Sequence, residues 1–173
     1  MVTRKVLVLD TSAVIAGVAP GLVDAEQVTV REVLDEARDL CSKLELETAV
    51  DTGKISVLEP SREALVEVRK KVGQTGDRVS ETDIKLLAVS LDLRRRGDEP
   101  ELMTDDYAIQ NLARVFGFPF RRVAMPGIKE VFTWRMVCPA CSRTYPPTFT
   151  KCDVCGSTLV RRSQKKFKIA QLL

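Results

Sequence analysis

The sequence predicts an α/β domain built on a mainly parallel sheet, followed by a small C-terminal ribbon held by a metal. Short apolar runs alternate with helical patterns along residues 5–125, Pro126-Gly127 breaks that alternation, and two CxxC pairs lie beyond it. The 173 residues suffice for one ordinary domain with an appendage, and 45% hydrophobic residues are enough for a core.

Lys5 to Leu9 reads as a buried strand ending at Asp10, and helical patterning follows over Thr11 to Ala16 until Gly17, Pro20 and Gly21 break it. Val30, Val33, Leu34, Ala37, Leu40, Cys41 and Leu44 recur at helical spacing, so one helix is expected over 30–46, opened by a Thr29/Glu32 capping box, with Cys41 a buried hydrophobe. Ile55 to Leu58 is a second strand, and Ser61 caps a helix that Gly73 and Gly76 end. The next helix has an acidic start at Ser80-Glu81-Thr82-Asp83, a basic end at Arg94-Arg95-Arg96, and Gly97 behind it. Those arginines read as a solvated helix end. Glu101 to Thr104 is a third strand, Asp106 to Phe116 a helix, Phe120 to Met125 a fourth strand and Val131 to Val137 a strand entering the ribbon. Residues 159–173 alternate basic and apolar side chains, as a ribbon strand with a flexible arm would.

The chain has no histidine. Ser-His-Asp and Cys-His nucleophiles, histidine proton shuttles and imidazole-ligated zinc sites are thereby excluded. The net charge of +3 hides a split: residues 134–173 hold eight basic side chains and one acid, for +7, and residues 1–133 hold 19 basic and 23 acidic ones, for −4. A polyanion-seeking tail on an acid-bearing body fits this asymmetry. The apolar run Val6-Leu7-Val8-Leu9 is too short for a signal or a membrane span, so a soluble, cytoplasmic protein without membrane contact is expected.

Cys138-x-x-Cys141 and Cys152-x-x-Cys155, ten residues apart, have the spacing of a four-thiolate site. Zn²⁺ suits it as a structural ion, and a rubredoxin-type iron would use the same ligands. With four sulfurs there is no open coordination position, so the ribbon is structural or recognitive. Arg135, Arg143, Lys151, Arg161 and Arg162 interleave with Trp134, Tyr145 and Phe149, a mix that suits single-stranded nucleic acid, and Lys165, Lys166 and Lys168 extend the phosphate-binding set.

Asp10 and Asp106 follow strands, while Glu32 and Asp83 stand in first helical turns. Each has an adequate role as a cap. In an open parallel sheet, however, the strand ends face one crevice, where crowded acids call for hard cations such as Mg²⁺ or Mn²⁺. Such a site hydrolyses phosphodiesters without histidine.

Asp10-Thr11-Ser12, Glu32 in Val30-Arg31-Glu32-Val33, Ser80-x-x-Asp83 and Thr104-Asp105-Asp106, in this order, resemble the acid set of PIN-domain nucleases. With Asp106-Tyr107-Ala108-Ile109-Gln110-Asn111 and the cysteine ribbon, nearly the whole chain is similar to the Nob-type (Nin-one-binding) endonucleases in their compact archaeal form. The resemblance implies a PIN-like three-layer α/β/α domain at 1–128, a zinc ribbon at 129–162 and a basic tail at 163–173. It further implies Mn²⁺- or Mg²⁺-dependent cleavage forming the mature 3′ end of small-subunit rRNA within the pre-ribosomal small subunit; a nuclease that acts once per ribosome cannot cut at random, so gating by flanking assembly factors is expected. Carried over, Asp10, Glu32, Asp83 and Asp106 bind the catalytic metal, with Thr11, Ser12, Thr104 and Asp105 in support. Two other readings stand beside this one: a PIN ribonuclease toxin of the VapC type, and a non-catalytic RNA-binding assembly factor whose acids are only caps.

Overall fold

The computed structural model describes residues 3–15, 25–37, 40–123 and 130–168. In chain order the elements are β1 (Lys5–Leu9), α1 (Thr11–Ile15), β2 (Glu26–Thr29), α2 (Arg31–Glu36), α3 (Leu40–Asp51), β3 (Ser56–Val57), α4 (Arg62–Thr75), α5 (Glu81–Arg95), β4 (Glu99–Met103), α6 (Tyr107–Phe116) and β5 (Phe120–Arg121). The ribbon follows as β6 (Glu130–Val137), β7 (Thr144–Tyr145) and β8 (Val160–Lys168).

Five parallel strands lie in the order β3-β2-β1-β4-β5. β1 is central and its four apolar residues are buried, so alternation along it feeds two cores. Val6 and Val8 pack with Val28, Val68, Leu87 and Leu112 on the α4/α5/α6 side. Leu7 and Leu9 pack with Ala13, Leu46, Ala49 and Met103 on the α1/α3 side. A three-layer domain results, as the resemblance implied.

Three helices start and stop for reasons legible in their sequence. Ser61 accepts from Ala64 N at the start of α4, Ser80 and Asp83 form a reciprocal capping box on α5, and the Asp106 carboxylate accepts from Ala108 N and Ile109 N on α6. Gly76 and Gly117 end α4 and α6 with positive φ, while Gly73 lies inside α4 rather than ending it. Arg94 donates to Phe116 O and Arg95 pairs with Glu67, so the basic end of α5 is tied to α6 and α4.

The expected helix over 30–46 is instead two helices, α2 and α3, behind the strand β2. Val30 is extended and buried, and Thr29 caps nothing: its hydroxyl donates to Leu9 O, binding β2 to the end of β1. Ala37 is extended at the end of α2, and Leu44 is exposed, so one apolar face does not run through. The Cys41 side chain lies outside the described residues, as does the end of the expected strand at 124–125.

β6 pairs antiparallel with β7 and β8, and its ladder with β8 runs from Val137–Val160 to Glu130–Lys168. The ladder crosses the expected 162/163 boundary, because the alternating residues 163–168 continue the strand. The ribbon sits against the α/β domain. Asn111 donates to Phe132 O and accepts from Phe132 N, Trp134 Nε1 donates to the buried Asp77, and Arg161 donates to Gly76 O while stacking on Trp134 at 3.8 Å. A Cβ on Gly76 would lie 2.6 Å from the Pro147 side chain and 2.9 Å from Trp134 O.

Gly76→Ala should therefore destabilise more than Gly117→Ala, which has the same sign of φ but open space around it. Urea unfolding should give roughly 1–2 kcal/mol for Gly117→Ala from the left-handed backbone alone, and a larger loss for Gly76→Ala. Equal losses would contradict close docking of the ribbon at Gly76.

Candidate active site and metal centre

The crevice lies at the carboxyl ends of β1 and β4, where the strand order reverses: the connection from β1 goes to β2 on one side and that from β4 to β5 on the other. Asp10 N donates to Met103 O, which carries the first strand's ladder into the loop. The buried Asp10 carboxylate accepts from Thr11 N (2.7 Å), Ser12 Oγ (2.9 Å) and Thr104 Oγ1 (2.7 Å). Ser12 Oγ and Thr104 Oγ1 in turn accept from Asp105 N and Asp106 N, at 3.1 and 3.0 Å. Each hydroxyl has one proton, so both point toward Asp10. Thr11, Ser12 and Thr104 thus lock the first acid to the loop that bears the last one. Asp105 accepts from Val123 N and steadies that loop.

Burial pushes the Asp10 carboxyl above its usual range against these three bonds, and Asp106 repels it further. Asp83 rises to about 6, from burial and then from repulsion by Asp106 and Asp10, although Ser80 N–H opposes the shift. Asp83 is therefore both a cap partner and one member of a mutually repelling set of three.

Glu32 does not join that set. Its Oε1 pairs with Lys85, which also reaches Glu59 at 3.4 Å. Desolvation raises the Glu32 carboxyl, but the Lys85 bond and charge outweigh it and the net shift is downward. Glu36, one turn further along α2, is the acid drawn to the crevice. It accepts from Thr11 Oγ1 at 2.7 Å and from Thr82 Oγ1 at 2.6 Å, the residues adjoining Asp10 and Asp83. The sequence signal for Glu36 was its place in the last turn of a short helix, which a continuous helix over 30–46 concealed.

The four cysteine sulfurs lie within 4.8 Å of one another, with Cys138–Cys155 at 3.4 Å and Cys141–Cys152 at 3.6 Å. These separations are far beyond a disulfide bond. They match the edges of a tetrahedron with metal–sulfur bonds of about 2.3 Å, which are about 3.8 Å. Ser142 and Gly156, directly after the second cysteine of each pair, have φ of 60° and 70° and turn the two knuckles alike. A hydrogen bond from Tyr145, with backbone N–H groups of Cys155 and Val154, pulls the Cys152 thiol down to about 6 against burial. That favours the thiolate a metal needs. The arrangement can hold Zn²⁺, as the spacing predicted.

Tyr145 is buried beside Cys152 and bonded to Asp153, so it covers the site and is not available to stack on a base. Phe149 is exposed. Arg143, Lys151 and Arg162 are exposed and Arg135 is half-buried, whereas Arg161 is held at the junction. The side chains of Lys165, Lys166 and Lys168 lie outside the described residues.

The family described as "PIN domain of ribonuclease" matches residues 7–93. An Endoribonuclease Nob1 of Methanothermobacter thermautotrophicus is 38% identical over 162 residues, 91% of this chain and 93% of that one. The Endoribonuclease Nob1 of Pyrococcus abyssi is 37% identical over 95% of this chain and 99% of its own. The chain belongs to the Nob1 family of PIN-domain endoribonucleases. A Ribonuclease VapC3 of Aeropyrum pernix is 39% identical over 126 residues, 72% of this chain and 90% of that one. In this Nob1 family member the coupled aspartates and Glu36 belong to the α/β domain, and the cysteine knuckles, which could hold a metal, to the ribbon. No helix among the described residues is long and apolar enough to cross a membrane.

A carboxyl whose folded-state value lies above its unfolded one binds its proton more tightly when folded. Its ionised form therefore opposes folding, and stability falls as pH rises from about 4 through about 6. Without histidine, no ordinary side chain has its midpoint between pH 5 and 7. Zinc-loaded protein lacking Mg²⁺ and Mn²⁺ should lose roughly 1 kcal/mol between pH 5 and 7 after allowance for solvent screening. Calorimetry should find the slope flattened in Asp83→Asn, and an unchanged slope would refute the coupled set.

The ribbon should bind one zinc per chain, and Cys152→Ser should release it, measured by elemental analysis and X-ray absorption. Near-UV circular dichroism should then show loss of ribbon structure, since of order 10 kcal/mol of folding free energy comes from such a metal. A Cys152→Ser protein retaining zinc in a four-sulfur shell would contradict the assignment.

Proposed function

We propose that this endoribonuclease cuts the small-subunit rRNA precursor in the cytoplasm to form its mature 3′ end, using Mn²⁺ or Mg²⁺ at the acids and Zn²⁺ in the ribbon. The observation that carries it is similarity to Nob1 endoribonucleases along the whole chain, ribbon included, together with the repelling set Asp10, Asp83 and Asp106. Asp10, Asp83, Asp106 and Glu36 would hold the divalent ion. When bound, that ion supplies a hydroxide nucleophile at neutral pH and stabilises the leaving oxygen.

The chain's own residues do the positioning. Ser12 and Thr104 keep Asp10 oriented, Asp106 is steadied by two N–H groups of α6, and Thr11 and Thr82 hold Glu36. Lys85 pairs with Glu32 Oε1 and so competes with any ion for it. Arg135, Arg143, Lys151 and Arg162, with the lysines at 165, 166 and 168, would contact phosphates outside the crevice, and assembly factors would restrict when the cut is made. The VapC3 relative supports a second reading, a toxin-type ribonuclease; growth arrest on expression, relieved by a cognate antitoxin, would favour it.

The test is Mn²⁺-dependent cleavage of a model small-subunit rRNA 3′ junction. Asp10→Asn, Asp106→Asn and Glu36→Gln should each lower the rate at least ~100-fold, an effect of roughly 3 kcal/mol on the barrier, while RNA binding persists. Glu32→Gln should lower it only a fewfold. The reverse order for the two glutamates would return the fourth ligand to Glu32, and full activity in both aspartate variants would end the nuclease reading of this crevice.

A further inference from the structure

We infer that the cavity between the nuclease domain and the ribbon is a nucleotide subsite, which receives the base of an unpaired nucleotide flanking the cleaved phosphodiester. This rests on the RNA-cleaving reading above and adds where the strand is gripped.

The cavity has a volume of about 330 Å³, within the range of small-molecule sites. Its walls include Tyr107, Phe132 and Trp134, and its charged groups are Arg78, Arg161 and Asp77. The Tyr107 ring is 49% exposed, an unusual place for an aromatic side chain unless it has something to stack on. Base stacking on aromatic rings is tolerant of sequence, as a strand flanking a cut requires.

The charges favour a phosphate nearby. Arg78 is exposed and forms no ion pair among the described residues. Asp77 is outnumbered by Arg78 and Arg161, and its oxygens are engaged: Oδ1 accepts from Trp134 Nε1 at 2.9 Å and Oδ2 from Asn111 Nδ2 at 2.8 Å. Arg161 lies over the Trp134 ring and near Arg78, so the aromatic wall carries positive charge.

Its position ties the cavity to the crevice. Tyr107 and Ala108 directly follow Asp106, and Ala108 N donates to the Asp106 carboxylate. On the other side, Asp77 and Arg78 lead into Ser80, whose backbone N–H holds Asp83. A base seated here has its phosphate between the segments that carry two of the acids. The Asn111–Phe132 pair and the close approach at Gly76 fix the walls without the ligand, so little ordering is needed on binding.

Trp134 is the chain's only tryptophan, and its emission reports the cavity directly. Zinc-loaded full-length protein, without Mn²⁺ or Mg²⁺, is titrated with a ten-nucleotide single-stranded RNA spanning the rRNA 3′ junction. Saturable quenching is expected for wild type and for Asp10→Asn. Tyr107→Ala and Arg78→Ala should each weaken affinity ~10-fold, and Tyr107→Phe should restore it. Cleavage by the same variants with Mn²⁺ should show the loss in KM rather than kcat.

Unchanged Trp134 emission while wild type still cleaves that RNA would overturn the subsite and leave the nuclease intact. Quenching without cleavage would do the reverse. Affinity within twofold of wild type in both alanine variants would reduce the cavity to a packing gap between the two domains.

Discussion

Three carboxylates that repel one another cannot share a crevice unless the surrounding structure forces them to, and the strand ends of the α/β domain are organised around that constraint. The sheet supplies the force. β1 and β4 are neighbours in register, so their exits place Asp10 and the 104–106 loop side by side. Burial in two apolar cores fixes β1 on both faces, and Asp10 has no freedom to move away. The capping box on α5 adds Asp83, held by a backbone N–H whatever its charge. A divalent ion bound there would gain affinity from repulsion the fold has already imposed.

The ribbon stands in a different relation to its metal. Its thiols lie within metal-ligand reach of one another, and its three short strands have little apolar interior beyond Cys138, Tyr145, Cys152 and Leu159. A metal held by those sulfurs would supply the ribbon's folding energy, and the α/β domain sets its orientation. The contacts that orient it involve buried polar groups: Asp77 and Asn111 bond to each other and reach across the junction to Trp134 and Phe132. Removing one partner would leave a buried charge or amide unsatisfied, so the junction resists half-measures.

Much of this was legible from residues alone, and the failures have specific causes. β1, α5 and α6 were readable because apolar spacing, caps and terminators agree at each end. The cysteine cluster was readable because two CxxC pairs leave few alternatives. Residues 30–46 mislead because apolar residues at helical spacing conceal the extended backbone at Val30 and Ala37, with no glycine or proline at either. The structure resolves the ambiguity through Thr29, whose hydroxyl serves Leu9 O instead of a helix. Once the helix was misread, Glu32 stood out and Glu36 did not. The junction cavity was invisible because Asp77, Tyr107 and Trp134 are far apart in sequence and meet only when the ribbon docks.

The two hydroxyls beside Asp10 give the short motifs a cause. Ser12 stands two residues beyond Asp10 and receives the N–H of Asp105, while Thr104 stands two residues before Asp106 and receives its N–H. Each segment of the pattern completes the other's hydrogen bonds, so the loops are wired in series and neither can be lengthened by one residue alone. The spacing in T-x-D thus behaves as a length standard: it sets how far apart the first and last acids stand and keeps the gap between them from drifting.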